Sequence, residues 1–563
     1  MSRFLTILIC AFVCQQAFNQ TADYNRLMEK AEEKYAEENY IAAFNYYDKA
    51  QEKAIYPEQK EEALKRKDEC RLLILEQKIN LEIAQKETDS ALGVANTIIG
   101  AFYFYDERFA LAYKNNKYGF INKEGTPVIG YKYDEARPFS YPGLAKVKRG
   151  DKNYLIDGTK KEYLLGEGAI DVNDIQALDL SNMQLTQIPD RVFESPNLNI
   201  LLLNGNEISY IPEKIDSLLK LRELVFFNNE LNSLPENIGG LNELRLLDAG
   251  NNCLTALPKS MIGLTKLEML VLYNNQLTSL PNYEANNYLL EVLDAGNNLL
   301  ESLPKGFSNL QNLKVLYLDN NQLDKYPVQL SSLGNLTHLS LAGNQLETLP
   351  EEFGRINKLV SLDLWGNNIK SLPNSFGQLI NIEELVLGDN QITQFPGFIE
   401  NFPALTSLDL SFNQLSELPE DLKRLTILEL LDVSYNRFTE FTADSSLLPA
   451  LAKLSLAGNN LRSLPDSIST FVNLTFLDMC NTNLDSLDTS ICTLTNLTEL
   501  YLNDNKLTSL PQEVEMLINL TLLDLTNNLI TEENLKLIEK WLPGCEVIFK
   551  HKITEQRPID DEK

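Results

Sequence analysis

The chain has 563 residues, 44% of them hydrophobic and 23% charged, with a formal charge of −29 and an isoelectric point near 4.6. That length accommodates several domains with full hydrophobic cores. The charge excludes nucleic acid and anionic membrane surfaces as natural partners, because binding phosphate needs a basic surface; it leaves a protein partner with a basic or neutral contact surface.

Residues 1–20 read as a signal peptide: Arg3, an apolar run from Phe4 to Val13, then polar residues. The run is too short to span a bilayer, and no other stretch is long enough, so the mature chain carries no transmembrane segment. Cys10 and Cys14 are poor lipoprotein sites, since Ile9 and Val13 are not small. The expected location is secreted or in a cell envelope (periplasm or surface), with the cytoplasm as the alternative if the segment is retained. N-terminal sequencing of protein from its native host is expected to start between about residues 15 and 24. An intact Met1 would overturn export.

Residues 21–88 are predicted helical. In "YNRLMEKAEEKYAEENYIAAFNYYDKAQEKAIYP", Ala31, Tyr40, Ala43, Tyr47 and Ala50 put small and aromatic residues at helical spacing, so two helices can pack as a hairpin. A third helix follows Pro57 and runs to about Lys86. Residues 89–102 form a linker. Residues 103–163 hold two related copies, "YFYDERFALAYKNNKYGFINKEG" and "YKYDEARPFSYPGLAKVKRGDKNYLIDG". Alternating aromatic and aliphatic residues between Asn, Gly and Pro turns predict β-hairpins.

Residues 164–549 hold a 23-residue unit that recurs sixteen times without insertion, from Leu178 through Leu201 and Leu224 to Leu523. Each unit reads roughly LxLxxNxLxxLPxxhxxLxxLxx, where h is apolar. The paired leucines point to one side of a short strand. Counting the first leucine as zero, offset five is Asn in fourteen repeats, Met183 and Thr482 being the exceptions. A buried amide both donates and accepts, so it can bond the backbone of successive turns into a ladder. Offset eleven is Pro in thirteen repeats, suited to an arc outside that ladder. Leu330, Leu333 and Leu336 line the inner side of the return segment, and Glu284 and Asn287 predict a distorted arc in repeat five. Residues 532–549 read as an amphipathic helix plus a closing strand, and 550–563 as a polar tail.

Such a period signals a solenoid whose repeats bury their apolar faces on one another. The unit resembles the leucine-rich repeat family. The resemblance implies an α/β solenoid, a horseshoe of about sixteen repeats with one long concave strand face. The helical region resembles a tetratricopeptide unit, and the β region resembles the WG repeat, with Tyr118-Gly119 and Asn153-Tyr154 where that repeat has Trp-Gly. The five cysteines after the leader lack disulfide-framework spacing, and no paired cysteines flank the repeats. This resembles a bacterial envelope protein more than an animal receptor.

Catalytic constellations are absent from the sequence. Two histidines, His338 and His551, all but exclude histidine triads and multi-histidine metal sites. No cofactor or metal is expected, and no enzyme. The "NLT" sequons at Asn335, Asn473, Asn496 and Asn519 fall on the repeat consensus.

Function is expected where the repeat rule leaves freedom, at offsets one, three and four. Offset one is Asp in eight repeats, among them Asp363, Asp409 and Asp432, and outward aromatics stand at Phe227, Tyr273, Tyr317, Trp365, Phe412, Tyr435 and Tyr501. Repeats nine to twelve bring Asp363, Trp365, Asp389, Asp409, Phe412, Asp432 and Tyr435 onto four successive strands, and Gly366 and Gly388 predict a hollow beside the Trp365 ring. Carboxylates around aromatic anchors suit a Lys- or Arg-bearing segment. The sequence therefore reads as a non-catalytic protein–protein interaction protein that binds a polypeptide on its concave face. The alternative is an envelope or surface adhesive protein that recognises a neutral glycan.

Overall fold

The computed structural model describes residues 109–165 and 173–549, apart from breaks of one to four residues, together with Met28. The predicted leader, helical region, linker and polar tail lie outside the described residues. The described residues fall into two compact units: those up to Leu180 with Asp190–Leu202, and Ser181–Pro189 with those from Leu203 onward.

In the first unit, β1 (Ala110–Lys114), β2 (Lys117–Ile121) and β3 (Pro127–Tyr133) form an antiparallel sheet. β4 (Glu135–Ala136), β5 (Leu144–Arg149), β6 (Lys152–Asp157) and β7 (Glu162–Leu164) form another. The two hairpins read from the paired copies are β1–β2 and β5–β6. Alternation sends Phe109, Phe120, Tyr133, Phe139, Val147 and Ile156 into one shared core, with Phe109 and Phe139 stacked at 4.7 Å. Gly119 is required because the β2–β3 register shifts beside it: a Cβ there would lie 2.7 Å from the Ile129 carbonyl oxygen. No shift interrupts the pairing of β6, so Tyr154 is accommodated at the matching place.

The first two solenoid strands, Ala177–Asp179 and Ile200–Leu202, also belong to this unit. Their open edge is covered by the chain leaving β7: the Gln176 N–H donates to the Leu164 carbonyl at 3.1 Å, and Leu165 bridges Ala177. The cap of this end thus comes from the β region.

In the second unit, three-residue strands from Glu223–Val225 to Glu546–Ile548 pair parallel, in sequence order and in register. Leucines at offsets zero and two are buried, as at Leu362 and Leu364. The return segments are 3₁₀ turns, for example Glu213–Ser217 and Val328–Ser332. A 23-residue unit leaves room for little more than one turn there. Three residues per turn place Leu330, Leu333 and Leu336 on one inward face, all fully buried. Pro212, Pro235 and Pro350 precede such turns with φ between −62° and −79°, and their carbonyls accept the first 3₁₀ bond. In repeat five Tyr283 and Tyr288 pack edge to face at 5.0 Å on the return side.

The predicted amide ladder is present. Asn321 Nδ2 donates to the carbonyls of Ala295, Leu318 and Asp319, and its Oδ1 accepts from the Leu300 N–H at 2.9 Å. The two exceptions share one alternative. Asn206 Oδ1 takes the N–H groups of both Met183 and Leu185, and Asn505 Oδ1 takes those of Thr482 and Leu484. In each case the next residue, Gln184 or Asn483, turns left-handed. Thr482 also donates to the Met479 carbonyl at 2.8 Å, so it restores part of what the amide supplied. The sequon residues make a second ladder on the return side: Asn335, Asn473, Asn496 and Asn519 each donate to a carbonyl 24 residues earlier.

The helix Glu532–Trp541, capped by Thr531, and the strand Glu546–Ile548 close the far end as expected. Among the described cysteines all are free, and only Cys492 is buried.

Candidate functional site: the exposed strand face

Period-two alternation leaves the residues on either side of each buried leucine facing outward. Parallel register stacks Asp363, Val386, Asp409, Asp432, Ser455 and Asp478 into one column. These aspartates are not simply solvated carboxylates. Each bonds the N–H two residues on: Asp363 to Trp365, Asp409 to Ser411, Asp432 to Ser434 and Asp478 to Cys480, at 2.8–2.9 Å. Asp248 makes the same bond to Gly250 and is wholly buried. The side chain takes over a donor where the strand ends and the chain turns. Burial and the Asp409 charge on the adjoining strand push the Asp432 carboxyl up to about 6. Burial also raises Asp389 and Asp478.

The structure separates the predicted aromatics. Tyr317 is 38% exposed, but Tyr273 is buried, which corrects its placement on the surface. Phe227 and Trp365 are half-buried. The expected hollow at Gly388 is filled by the indole itself: a Cβ on Gly388 would lie 2.8 Å from Trp365 Cδ1. Phe227 lies similarly against Gly250, at 3.2 Å. Trp365 therefore contributes packing as well as surface, so its removal is expected to lower thermal stability, contrary to a purely solvent-facing role. Phe412 and Tyr435 are brought together, their rings parallel within 8° at 4.3 Å, and 48% and 41% exposed. Asp389 lies one turn before Phe412 in the same column, and Asp363 and Trp365 lie one turn further. Phe227, Tyr273 and Tyr317 belong to earlier repeats and are not part of this group.

Sequence reasoning missed the residue just before each first leucine. Phe476 occupies that place and packs against Tyr501 at 5.5 Å, while the Tyr501 hydroxyl donates to Glu499. Strict alternation was the signal that could have found this column.

Offset four has a further property hidden in the sequence. Its backbone is left-handed in all sixteen repeats. The occupants are Asn, Gly or Asp in fourteen, which tolerate that region, and Phe412 and Tyr435 in the other two, both at φ 51°. From Asn228 to Asn297 the column is laced by its own amides, Asn251 to Asn228 at 2.5 Å and Asn274 to Asn251 at 2.6 Å. A left-handed backbone costs a bulky residue about 1–2 kcal/mol. One stacked pair returns about 0.5–1.5 kcal/mol. Replacing both Phe412 and Tyr435 with Asn is therefore expected to stabilise the solenoid by about 1–2 kcal/mol, read as a higher denaturation midpoint. A loss of stability would show the rings to be structural.

Elsewhere in the first unit a cleft of about 570 Å³ is lined by Arg137, Lys146, Lys148, Glu135 and Asp179 among others. Lys148 pairs with Glu135 at 2.6 Å, and charges of both signs meet there, so it defines no anion site.

A stack of 23-residue turns, with an exposed strand face and inward leucines, defines a leucine-rich repeat solenoid of the horseshoe type. The match is shown directly. A family model described as "Leucine-rich repeat region" covers residues 209–325 and 298–455, and one described as "Leucine Rich Repeat" covers 496–517. A leucine-rich repeat protein of Leptospira interrogans is similar at 36% identity, over 67% of this chain and 97% of that one, with a TM-score of 0.64. The chain belongs to the leucine-rich repeat family. A TDR receptor is similar at 26% identity, over 63% of this chain and 64% of that one, with a TM-score of 0.54. The model described as "WG containing repeat" matches residues 118–152, which begin at Tyr118-Gly119. Among curated proteins, none matches.

Proposed function

We propose that the protein is a non-catalytic interaction protein that binds a partner polypeptide on the concave strand face of its horseshoe, across repeats nine to twelve. Leucine-rich repeat folds are typical of protein–protein interaction. The supporting observation is the exposed Phe412–Tyr435 stack beside Asp363, Asp389, Asp409 and Asp432. Export to the envelope or medium accords with this reading, and no described helix is long and apolar enough to cross a membrane.

A photo-crosslinking residue at Glu384, exposed on the strand face of repeat ten, is expected to capture a polypeptide from host extract, whereas one at Ile518, on the return side, is not. Against that partner, Trp365→Ala with Phe412→Ala is expected to cost at least about 2 kcal/mol of affinity, the scale of interface hot spots. Unchanged affinity with the fold intact would move the site elsewhere. Binding that barely changes between low and high salt would favour the neutral-glycan alternative, since charged contacts are screened and sugar stacking is not.

A further inference from the structure

We infer that the open face of the Phe412 ring, with the Asp389 carboxylate one turn before it, receives the guanidinium of an arginine carried by the partner polypeptide. The inference rests on the protein-binding reading above and names the chemistry of its anchor.

The stack has only one free face. Tyr435 leans onto Gly458, where a Cβ would lie 2.4 Å from Tyr435 Cδ1, so the outer side of its ring rests on bare backbone. Its other side is covered by Phe412. On the remaining side of Phe412 the column continues to Asp389 and then Gly366. Asp389 reaches back toward Gly366, its Oδ2 lying 3.9 Å from where a Cβ on that glycine would be. The rings tip one way along the column and the carboxylate tips the other, leaving a slot about one strand spacing wide, roughly 5 Å. The Asp389 carboxylate accepts no hydrogen bond and makes no ion pair among the described residues, unlike the laced amides at the same offset in repeats three to six. The outward offsets of repeats ten to twelve supply no cation of their own.

The slot favours a planar cation. A guanidinium can lie flat on the ring as a third layer while its in-plane N–H groups reach the carboxylates at its rim. A lysine ammonium is a compact, strongly hydrated charge that cannot do both as well. A sugar ring would stack and its hydroxyls could donate to Asp389, but it brings no positive charge to balance the carboxylate. The strained backbone fits this role, because Asn or Gly would relieve the strain but present no ring.

The test uses the full chain and an acetylated peptide of four arginines spaced by glycines, with lysine and citrulline versions as controls, titrated at fixed ionic strength. The arginine peptide is expected to bind about fivefold more tightly than the lysine peptide. Phe412→Asn with Tyr435→Asn should abolish that preference, and so should Asp389→Asn. Both changes install the residue commonest at this offset, so the fold is retained, which the denaturation midpoint verifies. Equal binding of arginine and lysine peptides by the wild type would overturn the inference, as would a preference that persists in the variants. Cellohexaose that binds the wild type and is lost in the Phe412/Tyr435 variant would reassign the platform to sugar and also overturn it. Absence of an arginine preference, with polypeptide adducts still forming at Glu384, sinks this inference alone. An arginine preference without any such adduct sinks the protein-partner reading instead.

Discussion

Replacing Asn321 with alanine is expected to destabilise the solenoid by about 3 kcal/mol, since one buried amide is exchanged for several stranded backbone groups. The side chain is 6% exposed and joins two turns: it donates to Ala295 in the preceding repeat and to Leu318 and Asp319 in its own, while holding the Leu300 N–H. A methyl group satisfies none of these, and water has little access. Asn344 has the equivalent partners one repeat on and should behave alike. Met183, at the same offset in the first repeat, is 57% exposed, and its change to alanine should cost well under 1 kcal/mol. Guanidinium denaturation of the three variants checks this. Small and equal effects at Asn321 and Asn344 would refute the ladder as a source of stability.

The second large effect depends on pH. Asp432→Asn is expected to raise stability near pH 7.5 by about 2 kcal/mol and to remove a gain that the wild type shows on mild acidification. The Asp432 carboxyl is pushed up to about 6, above the ordinary 3.8, by burial first and by Asp409 second. The folded state therefore holds its proton more tightly than the unfolded chain. Stability from this group is fully present below about pH 4 and is lost as pH rises through 6. Asparagine keeps an oxygen for the Ser434 N–H but carries no charge to desolvate or repel. Carboxylates with lowered values, such as Asp134 beside Lys117 and Glu243 beside Lys266, run the other way and lose stability in acid. The comparison of wild type with Asp432→Asn cancels them. Denaturation midpoints at pH 5 and pH 7.5 that move in parallel for both proteins would refute the assignment.

The repeat architecture was legible because each leucine, Asn and Pro answers to a local rule that recurs every 23 residues. Period-two alternation sends Leu362 and Leu364 inward, a buried position demands a side chain that donates and accepts, and proline suits the entry to a tight turn. None of these depends on what lies elsewhere in the chain. The hairpins β1–β2 and β5–β6 were legible for the same reason.

The exposed face was read less well, because exposure depends on neighbours 23 residues away. Tyr273 and Tyr317 look alike in sequence, yet one is buried and the other open. Gly388 suggested a hollow, but the Trp365 indole on the preceding repeat occupies it. The backbone bonds of the aspartate column were likewise hidden, because only the strand ends place an N–H within reach of carboxylates such as Asp363, Asp409 and Asp432. Offset four was the same kind of case: sequence showed mostly Asn and Gly, and only the backbone revealed a left-handed residue in every repeat. What the sequence determined by itself was the repeat, its core and its strand order, since these follow from periodicity. The tertiary structure alone decided which outward side chains stay outward, because stacking strands about 4.8 Å apart lets each turn cover, tilt or bond the side chains of the next.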